Sequence, residues 1–211
     1  ELKNAYILYS AGLIEQIGSG SLDDQTRASC ETILDARGCV VTPGLINTHH
    51  HMYQSITRNV PYGQNALLFE WLQTLYPIWS KLRSTDVYAA SRLALCELAM
   101  SGCTMTSDHH YLYPNDVSLE NTIEAAKSVG IRLLATRGSM SIGESKGGLP
   151  PDSLVEENEA AILEDCLRLI DRYHQNHCGA MIQIGIAPCS PFSVSQELMQ
   201  QSALLARDKG V

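Results

Sequence analysis

No two cysteines in this 211-residue sequence are spaced C-x-x-C. The seven present (Cys30, Cys39, Cys96, Cys103, Cys166, Cys178 and Cys189) stand singly among apolar stretches. That argues against a thiolate zinc site and for reduced core thiols. Basic runs are missing too: 15 Lys and Arg face 23 Asp and Glu, for a net charge of −8. A phosphate-backbone partner wants clustered Lys and Arg, so nucleic acid is excluded as an expected ligand. No apolar run reaches the ~18 residues of a membrane span. The N-terminal residues lack the charged-then-apolar layout of a secretion signal, so the expected compartment is the cytoplasm. No G-K-[ST] follows any glycine-rich stretch, which removes a phosphate loop.

What remains is the composition of a globular protein, 45% hydrophobic and 18% charged, with a mean hydropathy of −0.07. Residues 1–42 read as part of a small antiparallel sheet, with strands at 5–9, 13–17 and 31–34 separated by glycines and by a polar loop over 19–29. Pro43-Gly44 breaks that pattern, and residues 43–211 alternate strand with helix. Strands are expected at 45–48, 103–108, 131–136 and 181–187. Helices are expected at 67–82, 86–100, 118–128, from 152 or 153 to 174, and at 195–209. Such alternation defines an α/β fold with a parallel sheet. A doubly wound sheet and the first half of a (β/α)8 barrel both fit. A dinucleotide-binding version would carry a glycine-rich turn after its first strand, where this chain has histidines.

Those histidines are the main chemical signal. Asn47-Thr48-His49-His50-His51 follows the strand at 45–48. On a strand alternate residues share a face, so His49 and His51 are expected to converge while His50 points away. Two neutral imidazoles from one strand end make half of a site for zinc or iron(II). A polar loop carrying three adjacent histidines is the plain alternative.

The segment Asp35-Ala36-Arg37-Gly38-Cys39-Val40-Val41-Thr42-Pro43-Gly44-Leu45-Ile46-Asn47-Thr48-His49-His50-His51 resembles the strand-one signature of the amidohydrolase superfamily, in its nucleobase and triazine aminohydrolase branch. Met52-Tyr53-Gln54-Ser55, Phe69-Glu70-Trp71-Leu72, Ser101-Gly102-Cys103-Thr104 and Ala187-Pro188-Cys189-Ser190-Pro191-Phe192-Ser193 resemble 8-oxoguanine deaminases. The resemblance implies the first half of a (β/α)8 metallo-dependent hydrolase barrel, preceded by part of a small β-sandwich. It implies one divalent metal, zinc or iron(II), held by His49 and His51. Further ligands (a His, a His and an Asp) and the proton-shuttling Glu belong to later strands and are expected beyond Val211, so the segment alone is expected to be inactive. The fourth barrel strand, 181–187, has no lysine to bridge a second metal, which fits the mononuclear members.

The resemblance further implies hydrolytic deamination of an oxidised purine, 8-oxoguanine to urate and ammonia. Gln54, three residues past His51, has an amide suited to a purine edge and matches a glutamine of guanine deaminases. His110, with His109 as the other candidate beside it, and Arg137 are the further substrate-contacting candidates. Trp71, Tyr76 and Trp79 are read as packing residues. The loop 138–151, with Gly138, Gly143, Gly147 and Gly148, is read as a movable active-site loop. Another heterocycle (guanine, cytosine or a hydroxytriazine) and a non-catalytic metal-binding scaffold are the rival functions. A small heterocyclic substrate and further copies of the chain are the expected partners, with nucleic acid and membrane excluded.

Overall fold

The computed structural model describes residues Glu1–Val211, which divide into two compact units, Glu1–Pro43 and Gly44–Val211. In the first unit β1 (Ala5–Ser10) and β2 (Leu13–Ser19) form an antiparallel hairpin. Its two-residue turn, Ala11-Gly12, has positive φ at both positions (49° and 81°), the backbone that matches the right-handed twist of paired strands. The stretch expected to be a polar loop contains a short helix, α1 (Asp24–Ser29), because the Asp23 carboxylate caps it by accepting from the Thr26 amide at 2.8 Å. The expected strand at 31–34 does not form. The sheet of this unit has two strands only, and without a neighbour to take its hydrogen bonds Glu31-Thr32-Ile33-Leu34 stays irregular.

The second unit carries four parallel strands, β3 (Leu45–Asn47), β4 (Cys103–His110), β5 (Arg132–Ser139) and β6 (Ile182–Pro188). Their spatial order is their order in the chain, β3-β4-β5-β6. A doubly wound sheet reverses its strand order at a switch point. Here every crossover advances in the same direction, and connections of the usual right hand then stack the helices on one side of the sheet, as in four consecutive units of a (β/α)8 barrel. The crossovers contain α2 (Leu68–Trp79) and α3 (Ser84–Met100), then α4 (Leu119–Val129), then α5 (Glu159–Tyr173); α6 (Gln196–Lys209) follows β6.

Alternation along the strands decides what is core. Leu133 and Ala135 of β5 and Ile182 and Ile184 of β6 are buried against Leu119, Ile123 and Ala126 of α4 and Leu169 and Ile170 of α5. A second cluster gathers Tyr53, Leu75, Tyr76, Trp79, Val87 and Leu112. Trp79 is fully buried and its indole N–H donates to Thr57 Oγ1 at 3.1 Å, so this aromatic group packs as the spacing predicts. No helix is long and apolar enough to cross a membrane.

Two further expectations change. Helix α5 starts at Glu159 rather than near residue 152, since Asn158 supplies the cap and residues 152–154 form a separate 3-10 turn. The glycine-rich loop is stitched down rather than free. Ser141 and Ile142 amides donate to Ser193 O at 2.7 and 3.0 Å, and Leu149 N donates to Phe192 O at 3.2 Å. Gly143 and Gly148 serve close approach: a Cβ at Gly148 would run into the Ile142 carbonyl oxygen.

Candidate active site

The strand that delivers the histidines is short. β3 ends at Asn47, so His49 and His51 sit just past it rather than on it. Asn47 organises the exit: its amide donates to Thr106 Oγ1 at 3.3 Å and its Oδ1 accepts from the His49 amide at 3.4 Å. His109 N donates to His50 O at 2.8 Å, which carries the β3–β4 pairing past the formal strand end. The two imidazoles still come together, with ring centroids 5.0 Å apart and planes at 89°.

His51 Nδ1 lies 2.8 Å from the His109 carbonyl oxygen. A carbonyl only accepts, so Nδ1 carries the proton and Nε2 keeps its lone pair, the tautomer of a metal-ligating histidine with a fixed ring. Burial lowers the His51 pKa, with the bond to His109 O opposing it, and the ring is neutral near pH 7. His50 turns away, half-buried, and its Nδ1 has no hydrogen-bond partner. The donor set therefore fits a divalent ion at two positions. No group of three or more His, Cys, Asp or Glu is gathered closely enough to hold a metal ion within these residues.

β4 separates the remaining candidates by face. Thr106, Asp108 and His110 are buried, while Met105, Ser107 and His109 are only partly covered. His110 faces the helix layer: it is fully buried, Nε2 donates to Leu112 O at 2.7 Å, and burial lowers its pKa to about 4. Arg137, in register with His110, also faces that layer. Its Nε donates to Asp165 Oδ2 at 2.8 Å and its guanidinium sits 4.1 Å over the Tyr113 ring. Neither His110 nor Arg137 stands with His49 and His51, because strand alternation turns both to the opposite face.

Gln54 does join the cluster. Its Nε2 donates to the hydroxyls of Tyr53 and Tyr111 at 3.1 and 3.2 Å. Tyr111 is buried, with its ring 5.5 Å from that of His51 and 5.2 Å from that of His109, and burial pushes its hydroxyl up to about 12. His109 is the histidine on the His51 side, at 5.3 Å between rings. A strand ending at residue 108, as the sequence suggests, leaves His109 and His110 as equal candidates, and β4 runs to His110. Two more residues of alternation would have separated His109 from His110.

The imidazoles gather past the C-terminal ends of parallel strands, where enzymes built on βα units place their active-site residues. The amidohydrolase family model matches residues 40–211, and the chain belongs to that family. It is 47% identical over 196 residues to an 8-oxoguanine deaminase of Pseudomonas aeruginosa, covering 92% of this chain and 43% of that protein. It is 34% identical over 184 residues to the hydroxydechloroatrazine ethylaminohydrolase of Pseudomonas sp. strain ADP, covering 85% of this chain and 38% of that one. The zinc-complexed crystal structure of atrazine chlorohydrolase from Arthrobacter aurescens TC1 superimposes with a TM-score of 0.90 at 31% identity, over 97% of this chain and 46% of that one. The chain thus spans less than half the length of each of these relatives.

Proposed function

We propose that the protein is a metal-dependent aminohydrolase that converts 8-oxoguanine and water into urate and ammonia. The observation that carries this reading is the His49–His51 pair, with His51 locked by the His109 carbonyl into the tautomer that leaves Nε2 free. His49 and His51 would hold one divalent ion, zinc or iron(II). Such an ion, when bound, brings the pKa of water down to ~7 and makes it a nucleophile near neutral pH.

The residues of this chain supply binding and orientation. Gln54 spends its N–H donors on the two tyrosine hydroxyls, which leaves Oε1 to accept from an N–H of the heterocycle. Tyr111 ties that amide to the His51 side of the site. The buried Tyr53–Trp79–Tyr76 group holds the loop after His51 against the helices. The 47% identity to an 8-oxoguanine deaminase supports the substrate. A second reading, an amino-substituted hydroxytriazine, is supported by the hydroxydechloroatrazine ethylaminohydrolase and by the triazine hydrolase structure from Arthobacter aurescens, with a TM-score of 0.90.

Ammonia release from 8-oxoguanine, guanine, cytosine and a hydroxytriazine by the full-length protein tests the proposal. Turnover highest on 8-oxoguanine, and abolished by His49→Ala, is the expected result. Highest turnover on a triazine replaces the substrate with the second reading. Bound metal without turnover on any of them favours a non-catalytic scaffold.

A further inference from the structure

Resting on the aminohydrolase reading above, we infer that His109 is a specificity-determining residue, whose Nδ1 accepts a hydrogen bond from a ring N–H of the substrate. It would select lactam-type heterocycles, which present N–H at the recognised edge, over those presenting a bare ring nitrogen.

Four observations converge on this. His109 is on the partly covered face of β4, beside His51 rather than in the helix layer with His110. Its Nε2 is 2.8 Å from the Ala187 carbonyl oxygen. That carbonyl can only accept, so Nε2 carries the proton and Nδ1 is a fixed acceptor. Nδ1 takes no bond within the protein and is not among the buried unpartnered atoms, so it reaches the open side. Gly138 leaves room for the end of β4 and for this ring together: a Cβ there would come within 2.7 Å of His110 O and Tyr111 Cβ and 2.8 Å of His109 Nε2.

The neighbouring free atom has the same polarity. With Gln54 Nε2 committed to Tyr53 and Tyr111, Gln54 Oε1 is an acceptor as well. Tyr111 links the two residues, through its hydroxyl to Gln54 and its ring face to His109. An edge made of acceptors pairs with N–H groups and opposes ring nitrogens that carry lone pairs. Placing acceptor against acceptor leaves a desolvated polar group unpaired, which costs ~1–3 kcal/mol, or about five- to 150-fold in binding. An 8-oxopurine carries N–H at both nitrogens of its five-membered ring, whereas the parent purine carries it at one. The oxidised base is therefore favoured by the donor pattern that oxidation creates.

The test compares kcat/KM for 8-oxoguanine and guanine in the full-length wild type, His109→Asn and His109→Gln, with metal content measured on each. Asparagine keeps an acceptor near the Nδ1 position. Glutamine keeps a donor towards Ala187 O and lacks that acceptor. The expected result is a preference for 8-oxoguanine that falls at least about tenfold in His109→Gln and is retained in His109→Asn, with metal content unchanged in both. Preference retained in His109→Gln overturns the inference and makes His109 a cross-link between β4 and β6. Preference lost in both variants in step with their metal content also overturns it. If neither variant folds, wild-type enzyme with 7-methyl and 9-methyl 8-oxoguanine decides: rates on both within threefold of the parent base overturn the inference, and loss at one position supports it. Wild-type enzyme that turns over triazines but no purine removes the substrate reading and this inference with it, whereas an unchanged ratio in His109→Gln removes the inference alone.

Discussion

Asp108 is fully buried beneath the histidine cluster, with Oδ1 accepting from the Met52 amide at 2.7 Å and Oδ2 unpartnered. Burial raises its pKa from 3.8 to about 7, against the opposing pull of the Met52 bond. The folded state therefore binds a proton that the unfolded chain has released between pH ~4 and ~7. Stability from this group is full below pH ~4 and is lost as pH rises through ~7. A shift of this size corresponds to about 4 kcal/mol at most. Urea midpoints at pH 5 and 7.5 should show the loss in the wild type and a flatter profile in Asp108→Asn, which keeps an acceptor for Met52. An unchanged slope in the variant would assign the pH dependence elsewhere. Arg137 answers to the same scale. Its side chain is 8% exposed and paired with Asp165, so Asp165→Ala leaves a buried charge without its partner and should cost ~3 kcal/mol in denaturant unfolding. The H-x-H spacing made His49 and His51 legible in the sequence. The fates of His110 and Arg137 were not, because they depend on how far β4 and β5 run and hence on which face each residue takes.

At the scale of elements, the glycine-rich segment and the start of α6 meet on one carboxylate. Glu159, the first residue of α5, accepts from Ser141 Oγ at 2.6 Å and from Ser195 Oγ at 2.8 Å. Ser195 is at the same time the cap of α6, accepting from the Leu198 amide at 2.9 Å. Glu159→Ala removes both bonds and should destabilise the protein by ~1–3 kcal/mol. Hydrogen exchange should quicken at the Ser141 and Ile142 amides before it does in β5, whereas uniform quickening would mean that the carboxylate supports the whole unit. Most helices and strands of the second unit were readable to within a few residues, because period and caps agree: Ser118 and Ser195 begin α4 and α6, and Gly130 ends α4. The late start of α5 was hidden by Asp152 and Ser153, which look like caps but open only a 3-10 turn. In the first unit the strand at 31–34 failed because β-propensity says nothing about whether a neighbour is available.

The whole molecule is governed by strand order. Four parallel strands in sequence order leave β3 and β6 as the edges, and Leu45 and Ile46 on β3 are 60% and 65% exposed. Open parallel edges bearing apolar side chains promote association. The 211 residues expressed alone should therefore aggregate, read by light scattering; a soluble monomer with a cooperative melt would show that the edges are tolerated. From composition alone the order of the strands was undecided between a doubly wound sheet and barrel units, since both alternate strand and helix. In the proposed reaction His49 and His51 hold a metal that turnover needs. The direct test is to strip the full-length protein with a chelator, measure ammonia release from 8-oxoguanine, and then add back zinc or iron(II). Activity lost on stripping and restored by one equivalent per chain, with no restoration in His51→Ala, is the predicted result. Undiminished turnover by metal-free protein would contradict it.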